Sequence, residues 1–153
     1  MKDIFQDLST EKINTNIDTD HKTFNELVDS FINEEKKLNK VLKANSKKIA
    51  QASEIFFQVF SKGSRIFFIG AGTSGRLGIL EAAECPPTFG TSPSNIVGLI
   101  AGGNRAVFRA VEGAEDSKTS SKKDLVRKGF SKRDLLIGIS ASGKTNYVLS
   151  AMD

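Results

Sequence analysis

The sequence has almost none of the residues from which disulfides, zinc centres and histidine-based nucleophilic sites are built. Its 153 residues include one cysteine, Cys85, and one histidine, His21. A single thiol cannot form an internal disulfide, and this pair cannot supply the usual four ligands of a structural zinc site. The composition therefore excludes a disulfide-stapled fold and predicts no metal site.

Long apolar runs and dense basic clusters are also missing. No apolar stretch approaches the roughly 20 residues that span a bilayer, and residues 1–5 lack the apolar segment of a signal peptide. The formal net charge of +4 comes largely from scattered lysines without accompanying aromatic residues, which argues against a nucleic-acid partner. We therefore expect a cytoplasmic protein of one domain, or part of one, that binds neither nucleic acid nor membrane.

Apolar residues at helical spacing predict helices in the first part of the chain. Thr23 and Glu26 have the spacing of a capping box, which predicts a first helix from there to about Ile32. Asn33 is predicted to cap a second, longer helix that ends near Gly63. Residues 1–62 are thus predicted to form an arm followed by a helical hairpin.

Strand and helix patterns alternate in residues 63–153. Near-continuous apolar runs predict strands, and a helical pattern follows each of them. This alternation is typical of a doubly wound parallel α/β sheet. Because three strands make a thin sheet, we expect it to be part of a longer protein or to be completed by a partner. The predicted strands are 66–69, 95–100 and 135–139, the predicted helices are 75–84, 105–115 and 143–152, and residues 116–133 are predicted to be a lysine- and serine-rich connection.

The turn after the first predicted strand is the most informative segment. It reads Gly70-Ala71-Gly72-Thr73-Ser74-Gly75-Arg76 and opens the next helix. Such a turn directs several backbone N–H groups at one point, which suits a phosphate. Glu84 lies near the end of the same predicted helix, just before Pro86-Pro87, which is predicted to stop it. A phosphate cradle and a carboxylate on one helix predict a catalytic site.

The glycine spacing of this turn also matches the G-x-G-x-x-G fingerprint of dinucleotide-binding proteins. That fingerprint is completed by an acidic residue at the end of the second strand, which binds the ribose hydroxyls. The corresponding segment, residues 97–103, contains no carboxylate. The sequence therefore argues against a nicotinamide cofactor.

A second short motif, residues 138–145, fits the G-x-x-x-x-G-K-[ST] pattern of P-loop NTPases, in which Lys144 would reach the outer phosphates. Gly138 falls inside the third predicted strand, however, and no later strand ending in an aspartate is present for magnesium. An NTPase is therefore kept as a less favoured alternative.

Hydroxyl side chains follow the first and third predicted strands, with Thr73 and Ser74 after one and Ser140, Ser142 and Thr145 after the other. Because the carboxyl ends of parallel strands lie at one edge of a sheet, we expect both turns at the usual ligand side. Neutral hydroxyl and N–H donors can bind a phosphomonoester without a metal. A sugar-phosphate site is the third hypothesis.

The chain resembles the N-acetylmuramic acid 6-phosphate etherases, which carry a sugar isomerase (SIS) domain. The segment Glu84-Cys85-Pro86-Pro87-Thr88 is particular to this family among SIS proteins. The resemblance implies a lyase of cell-wall amino-sugar recycling. It would cleave the lactyl ether of N-acetylmuramate 6-phosphate to N-acetylglucosamine 6-phosphate and D-lactate, by elimination and then hydration. It also implies a homodimer with the site near the subunit boundary, and no cofactor. The matching segments are 70–90, 98–103, 110–117 and 138–143.

The resemblance assigns the family's two catalytic glutamates to Glu84 and Glu115 of this chain. One carboxylate would remove the proton at C2, and a protonated carboxyl group would assist the departure of lactate. Glu84 is favoured as the acid and Glu115 as the base, and the reverse assignment stays open. Such roles need a raised pKa on one glutamate, most simply through burial or a nearby like charge. The residues expected to bind the substrate and its phosphate are Gly72, Thr73, Ser74, Gly75, Arg76, Ser140, Ser142 and Thr145.

Two features depart from the family pattern. Family members usually read Ser-Gly-Arg-Thr-Pro-Tyr where this chain has Ser142-Gly143-Lys144-Thr145-Asn146-Tyr147, and lysine lacks the bidentate geometry of arginine. The family's chains are also about twice as long, so the resemblance covers their N-terminal part. The main alternative is a non-catalytic regulatory protein that binds a sugar phosphate, similar to the glucokinase regulatory protein.

Overall fold

The computed structural model describes Thr10 and residues 19–153. The chain divides into two compact units between Ile55 and Phe56. Most of the predicted N-terminal arm lies outside the described residues. The predicted domain boundary between residues 62 and 63 stays a prediction.

The first helix, α1 (Phe24–Ala44), begins at the predicted capping box. The Thr23 hydroxyl accepts a hydrogen bond from the Glu26 N–H at 3.4 Å, and the Glu26 carboxylate accepts one from the Thr23 N–H at 2.8 Å. Each residue thus satisfies a backbone donor that the first helical turn leaves unpaired.

The break that we predicted at Asn33 is wrong, because α1 continues through this residue. Asn33 lies inside the helix, where its Oδ1 accepts a hydrogen bond from Lys36 Nζ at 2.7 Å. Asparagine costs less than about 1 kcal/mol in a helix interior, and the residues after it are good helix formers. The break falls at Asn45, whose Nδ2 donates to Val41 O at 2.9 Å, and α2 (Ser46–Phe60) follows.

The second unit contains the predicted parallel sheet, whose strands are β1 (Ile66–Gly70), β2 (Ile96–Ile100) and β3 (Leu135–Ile139). Their order is β2-β1-β3, with β1 in the centre. Gly70 is level with Ile100 on one side and with Ile139 on the other. All three strands therefore end at one carboxyl edge.

Helices cover both faces of this sheet, which confirms the doubly wound α/β class. The helices are α3 (Gly72–Phe89), α4 (Asn104–Phe108), α5 (Ser120–Arg127) and α6 (Asn146–Met152), with a 3-10 helix at Ala114–Asp116. Because strand side chains alternate between faces, the core forms two clusters. The α5–α6 side is formed by Phe67, Ile69, Leu99, Leu125, Tyr147 and Val148, and the α3 side by Ile66, Phe68, Ile96 and Cys85.

The stop that we predicted at Pro86-Pro87 is wrong, since α3 runs through both prolines to Phe89. Proline has a φ angle that fits a helix, but it lacks the N–H donor and its ring crowds the carbonyl four residues earlier, so packing has to offset this cost. Burial of Cys85 against Ile66 helps to hold this last turn in place. The helix ends at Gly90, which adopts φ 68° and donates its N–H to Pro86 O at 2.9 Å.

The region between β2 and β3 also differs from prediction. The predicted helix over residues 105–115 is interrupted, because α4 ends at Phe108 and Val111 turns back against Gly102. The predicted connection over residues 116–133 contains α5. Its buried positions, Ser121 and Leu125, are one turn apart. Because the other residues of this segment are mostly polar, its hydrophobic pattern was too weak to predict a helix.

Helix α3 lies very close to the sheet where it crosses Gly98. A Cβ atom at Gly98 would lie 2.8 Å from Gly78 O and 2.8 Å from Ile79 Cα. Both are backbone atoms, which cannot move without shifting the whole helix. Glycine is therefore required at this position by packing, because larger residues would separate α3 from β2.

Replacing Gly98 with alanine is expected to lower the free energy of unfolding by about 2–3 kcal/mol, the cost of overpacking a core. Urea unfolding followed by circular dichroism would measure it. The matched control is Gly63→Ala, since Gly63 has φ 72° and nothing within 4 Å. That change should cost only the conformational strain, about 1 kcal/mol. Equal losses in the two variants would contradict the close contact.

A charged clamp joins the amino ends of β1 and β3. Asp134 Oδ2 lies 2.7 Å from Arg65 Nη2, and Oδ1 accepts from the Arg65 N–H at 3.1 Å and from its Nε at 3.2 Å. The N–H and hydroxyl of Ser131 also donate to Oδ2, at 2.8 and 3.0 Å. Arg65 in turn donates to the carbonyls of Lys128 and Gly129. This clamp fixes the segment that leads into β3.

Candidate functional site

The sheet has a topological switch point between β1 and β3. The chain passes from β1 to β2 on one side of β1, and then from β2 to β3 on the other side. In doubly wound proteins, ligands bind in the crevice outside the carboxyl ends of the strands at such a point. The two hydroxyl-bearing turns that the sequence singled out directly follow these two strands.

The first turn leads into the N-terminus of α3. The helix begins at Gly72, three residues before the predicted start, and Gly72 has φ 53°. Its N-cap, Ala71, provides no side-chain hydrogen bond to the first backbone N–H groups. Thr73 is exposed and Ser74 is half-buried. The 18-residue helix therefore directs uncapped donors and its positive dipole end at the crevice.

Gly75 shapes this turn through close packing. A Cβ atom there would lie 2.6 Å from Ile100 Cγ1 and 2.7 Å from Gly70 O. The Gly75 N–H donates to Ala71 O at 3.2 Å. Glycine thus allows the first turn of α3 to lie directly on the ends of β1 and β2. Its predicted contact with a substrate stays a prediction.

Arg76 connects α3 to α4. Its Nε donates to Val107 O at 2.8 Å, and the side chain is half-buried. This bond positions α4 beside the first turn. The predicted contact of Arg76 with the substrate or its phosphate stays a prediction.

The second turn is a cluster of three hydroxyls. Ser140 Oγ lies 2.9 Å from Thr145 Oγ1 and 3.5 Å from Ser142 Oγ. Ser140 Oγ accepts from the Gly143 N–H at 3.0 Å, and Ser142 Oγ accepts from the Lys144 N–H at 3.1 Å. All three side chains are half-buried. The turn is therefore preorganised by its own hydroxyls and still reaches solvent.

Tyr147 anchors the second turn to the core and was not singled out by the sequence analysis. The side chain is fully buried, and its hydroxyl donates to Asp124 Oδ2 at 2.7 Å. Burial and this acceptor both raise the pKa of Tyr147 far above its ordinary value, so the hydroxyl stays protonated. Asp124 also binds Arg127 at 2.9 Å. These bonds join α6 to α5 behind the turn.

Residues 138–145, which match the P-loop motif, do not adopt the geometry of a P-loop. Gly138 lies within β3, whereas in a P-loop the first glycine opens the phosphate-binding loop after the strand. A Cβ atom at Gly138 would lie 2.7 Å from Val148 Cγ1, so this glycine serves the packing of α6. Lys144 is exposed and precedes the helix start at Asn146. The geometry disfavours the NTPase alternative.

Glu84 lies far from the first turn of its own chain. It is twelve residues after Gly72, which corresponds to about 18 Å along the helix axis. The next residue, Cys85, packs against Ile66 and Ile96, the first residues of their strands. Glu84 therefore lies near the amino edge of the sheet, opposite to the hydroxyl-bearing turns.

Glu115 lies in a different part of the molecule. It belongs to the 3-10 helix that contacts α6 and follows Val111, which packs against Gly102 directly after β2. Within one chain the structure does not bring Glu84 and Glu115 together. Both glutamate side chains are exposed, so burial, one of the two expected causes of a raised pKa, is not found within one chain.

Neither a metal-binding cluster nor a membrane-spanning helix is present among the described residues. Among Thr10 and residues 19–153, no group of three or more histidine, cysteine, aspartate or glutamate side chains could hold a metal ion. Within the same described part of the chain, no helix is both long and apolar enough to cross a membrane.

Comparison with known proteins identifies the fold family. Residues 48–153 match the family described as "Glucokinase regulatory protein N-terminal SIS domain". The chain belongs to this SIS-domain family. Its SIS domain includes both hydroxyl-bearing turns, Glu84 and Glu115.

The chain is also similar to bacterial proteins named N-acetylmuramic acid 6-phosphate etherase. It is 48% identical to the protein of Glaesserella parasuis over 146 residues, which is 95% of this chain and 48% of that protein. It is 44% identical to the protein of Francisella philomiragia over 151 residues, which is 98% of this chain and 51% of that protein. It is 40% identical to the protein of Clostridium acetobutylicum over 153 residues, which is 99% of this chain and 51% of that protein. The resemblance seen in the sequence is confirmed, and the chain spans about half the length of these relatives.

Proposed function

We propose that this SIS domain is the sugar-phosphate-binding part of a cytoplasmic etherase of amino-sugar recycling. Its substrate would be N-acetylmuramate 6-phosphate, and its products would be N-acetylglucosamine 6-phosphate and D-lactate. The similarity to proteins named as etherases supports this reaction, and the segment around Glu84 is the part of that similarity most particular to the family.

The observation that carries the proposal is the pair of turns at the switch point between β1 and β3. One offers the uncapped N-terminus of α3 with Thr73 and Ser74, and the other offers the hydroxyls of Ser140, Ser142 and Thr145. Together they provide neutral donors and a positive dipole end, which match a phosphate dianion without a metal.

The proposed reaction is an elimination followed by addition of water. In the open-chain sugar the aldehyde makes the C2 proton acidic, and a carboxylate removes it. The C3–O bond then breaks, its electron pair goes to the lactate oxygen, and a protonated carboxyl group supplies the proton to that oxygen. Water adds to the resulting C2–C3 double bond. Glu84 and Glu115 are proposed for the two acid–base roles, with Glu84 as the acid.

The position of Glu84 suggests that this chemistry uses residues of two chains. Glu84 is about 18 Å along α3 from the first turn, which is longer than a monosaccharide phosphate. A second copy could bring its own Glu84 to the first turn of this chain. We therefore propose that the active protein is a homodimer and that each site uses residues of both copies.

Incubation of the chain with N-acetylmuramate 6-phosphate tests this function. We expect D-lactate and N-acetylglucosamine 6-phosphate in equal amounts, detected by a coupled lactate assay and mass spectrometry. Calorimetry with N-acetylglucosamine 6-phosphate should also show binding that is weakened in Ser140→Ala and Ser142→Ala. Lactate release that requires ATP, or ATP binding lost in Lys144→Ala, would instead favour the NTPase alternative.

A non-catalytic sugar-phosphate sensor is the second candidate. The matched family is described by the glucokinase regulatory protein, and the chain spans about half of the etherase-named relatives. This alternative predicts sugar-phosphate binding by calorimetry without lactate formation. The presence of both Glu84 and Glu115 favours the enzyme, because a sensor has no need of an acid–base pair.

A further inference from the structure

Helix α3 has an exposed stripe along one side. Its members recur at alternating spacings of four and three residues, and all are exposed. Leu77 and Leu80 in its centre are 50% and 52% exposed. Alternating spacings of four and three are those of the a and d positions of a helix that packs against another helix. The stripe consists of Thr73, Leu77, Leu80, Glu84 and Pro87.

The positions on this stripe have a simple symmetry. Leu77 and Leu80 are equally distant from the midpoint between residues 78 and 79, and Thr73 and Glu84 are equally distant from the same midpoint. A two-fold axis through that midpoint would therefore bring Leu77 against Leu80 of the partner subunit. The same operation brings Thr73 beside Glu84 of the partner subunit.

We propose that α3 packs antiparallel against α3 of a second copy of this chain, with the two-fold axis between residues 78 and 79. In antiparallel helix pairs an a position faces a d position, which this register satisfies for both pairs. The inference rests on the proposed function only for the role of Glu84. The docking surface itself rests on the exposed stripe and its spacing.

Charge favours the antiparallel direction. Glu84 of the partner subunit would lie at the N-terminus of α3, where Ala71 supplies no side-chain cap and the helix dipole attracts a carboxylate. A parallel pair in register would instead bring the two Glu84 carboxylates together, and like charges repel. Leu77 and Leu80 would be removed from water in either arrangement, so their burial would stabilise the dimer. The charge of Glu84 would favour the antiparallel arrangement over the parallel one.

The register of this dimer can be tested without any substrate. Thr73→Cys and Glu84→Cys are made separately in a Cys85→Ala background, mixed and exposed to a mild oxidant. We expect a disulfide-linked dimer in the mixture and little in either variant alone. Like positions would be about 16 Å apart along the axis, and a disulfide requires Cα atoms within about 7 Å. Thr73→Cys mixed with Ser92→Cys, which is exposed outside α3, is the control.

Introducing negative charges at the centre of the stripe tests whether this surface forms the dimer interface. Leu77→Glu combined with Leu80→Glu should convert the dimer into a monomer in sedimentation velocity, with the circular dichroism spectrum unchanged. Val126→Glu is the matched control, because Val126 is an exposed apolar residue of α5 that lies outside the stripe. A chain that sediments as a monomer before substitution would overturn the proposal, and so would a mixture without the disulfide.

Mixing two inactive variants separates this proposal from the proposed function. A Glu84→Ala chain retains an intact pair of turns, and a chain carrying Ser140→Ala and Ser142→Ala retains Glu84. If Glu84 acts on the partner's turns, the equal mixture recovers about a quarter of the activity, since half of the dimers have one complete site. A cross-linked dimer without recovery would refute Glu84's role across the interface. Lactate release without cross-linking would refute the interface and leave the function standing.

Discussion

Replacing Glu84 with glutamine is expected to lower the rate of lactate release by a factor of about 10²–10⁴, the usual contribution of a positioned acid or base. Glutamine keeps the size of the side chain but can neither donate a carboxyl proton nor accept one. Binding of N-acetylglucosamine 6-phosphate should change little, because the phosphate is assigned to the two turns. A lactate assay and calorimetry on the same samples measure both effects.

The matched control for this substitution is Glu81→Gln. Glu81 is also an exposed glutamate of α3, about one turn earlier, but it lies outside the stripe that carries Glu84. Its replacement should leave the rate within about twofold of the unsubstituted chain. If Glu84→Gln or Glu84→Ala released lactate at the unsubstituted rate, the catalytic assignment would fail. An equal loss in both glutamate variants would point to the stability of α3 instead of to catalysis.

Replacing Asp134 with alanine is expected to lower the free energy of unfolding by about 3 kcal/mol, near the lower end of the range for breaking a buried ion pair. The Asp134 side chain is 4% exposed and that of Arg65 is 32% exposed, so the arginine would recover part of its hydration. The change removes the hydrogen bonds from Arg65 and Ser131 to the carboxylate, and it leaves the backbone bond from Leu135 N–H to Arg65 O at 2.9 Å in place. Urea unfolding at pH 7 measures the loss. Asp116→Ala, at an exposed carboxylate, should cost less than about 0.5 kcal/mol.

The same clamp predicts how stability depends on pH. Burial alone would raise the pKa of Asp134, but the hydrogen bonds from Arg65 and Ser131 outweigh it and hold the pKa at about 2, below the ordinary 3.8. Because the folded protein favours the carboxylate, this contribution is complete above about pH 5 and is lost as pH falls from about 5 through the folded pKa of about 2. It amounts to about 2 kcal/mol.

Comparison of the unsubstituted chain with Asp134→Asn isolates this contribution from that of other carboxylates. The difference in unfolding free energy between the two should be constant from pH 7 to about 5 and should shrink towards pH 2. A difference that stayed the same at pH 2.5 would show that the charge of Asp134 contributes nothing to the fold.

Much of the second unit could be predicted from local patterns. The bounds of β3 were predicted as the structure has them, and those of β1 and β2 to within one residue, because buried parallel strands are continuous apolar runs. The capping box of Thr23 and Glu26 was also predicted, since its two partners are three residues apart. Helix ends were predicted less well. The stop at Pro86-Pro87 and the break at Asn33 were wrong because each rested on only one or two residues, whereas packing and the neighbouring residues kept the helix intact.

The candidate site divides in the same way. Both turns could be predicted from the sequence because each is a motif of a few consecutive residues. The prediction of a parallel sheet then placed both turns at the same edge, as the structure does. The clamp between Arg65 and Asp134 could not be found, since its partners are 69 residues apart. Nor could the anchoring bond from Tyr147 to Asp124 be found, since the two lie on different helices that meet only in the folded core.

The sequence by itself determined the α/β class, the hydroxyl-bearing turns and the resemblance to etherases, because these depend on residues that are close along the chain. Only the tertiary structure decided where Glu84 lies. A helix that begins at the carboxyl edge must run back across the sheet, so a residue twelve positions later reaches the opposite edge. The glutamate predicted to share a catalytic site with the phosphate cradle is thus separated from the cradle of its own chain, and we propose that a second copy of the chain supplies its own Glu84 there.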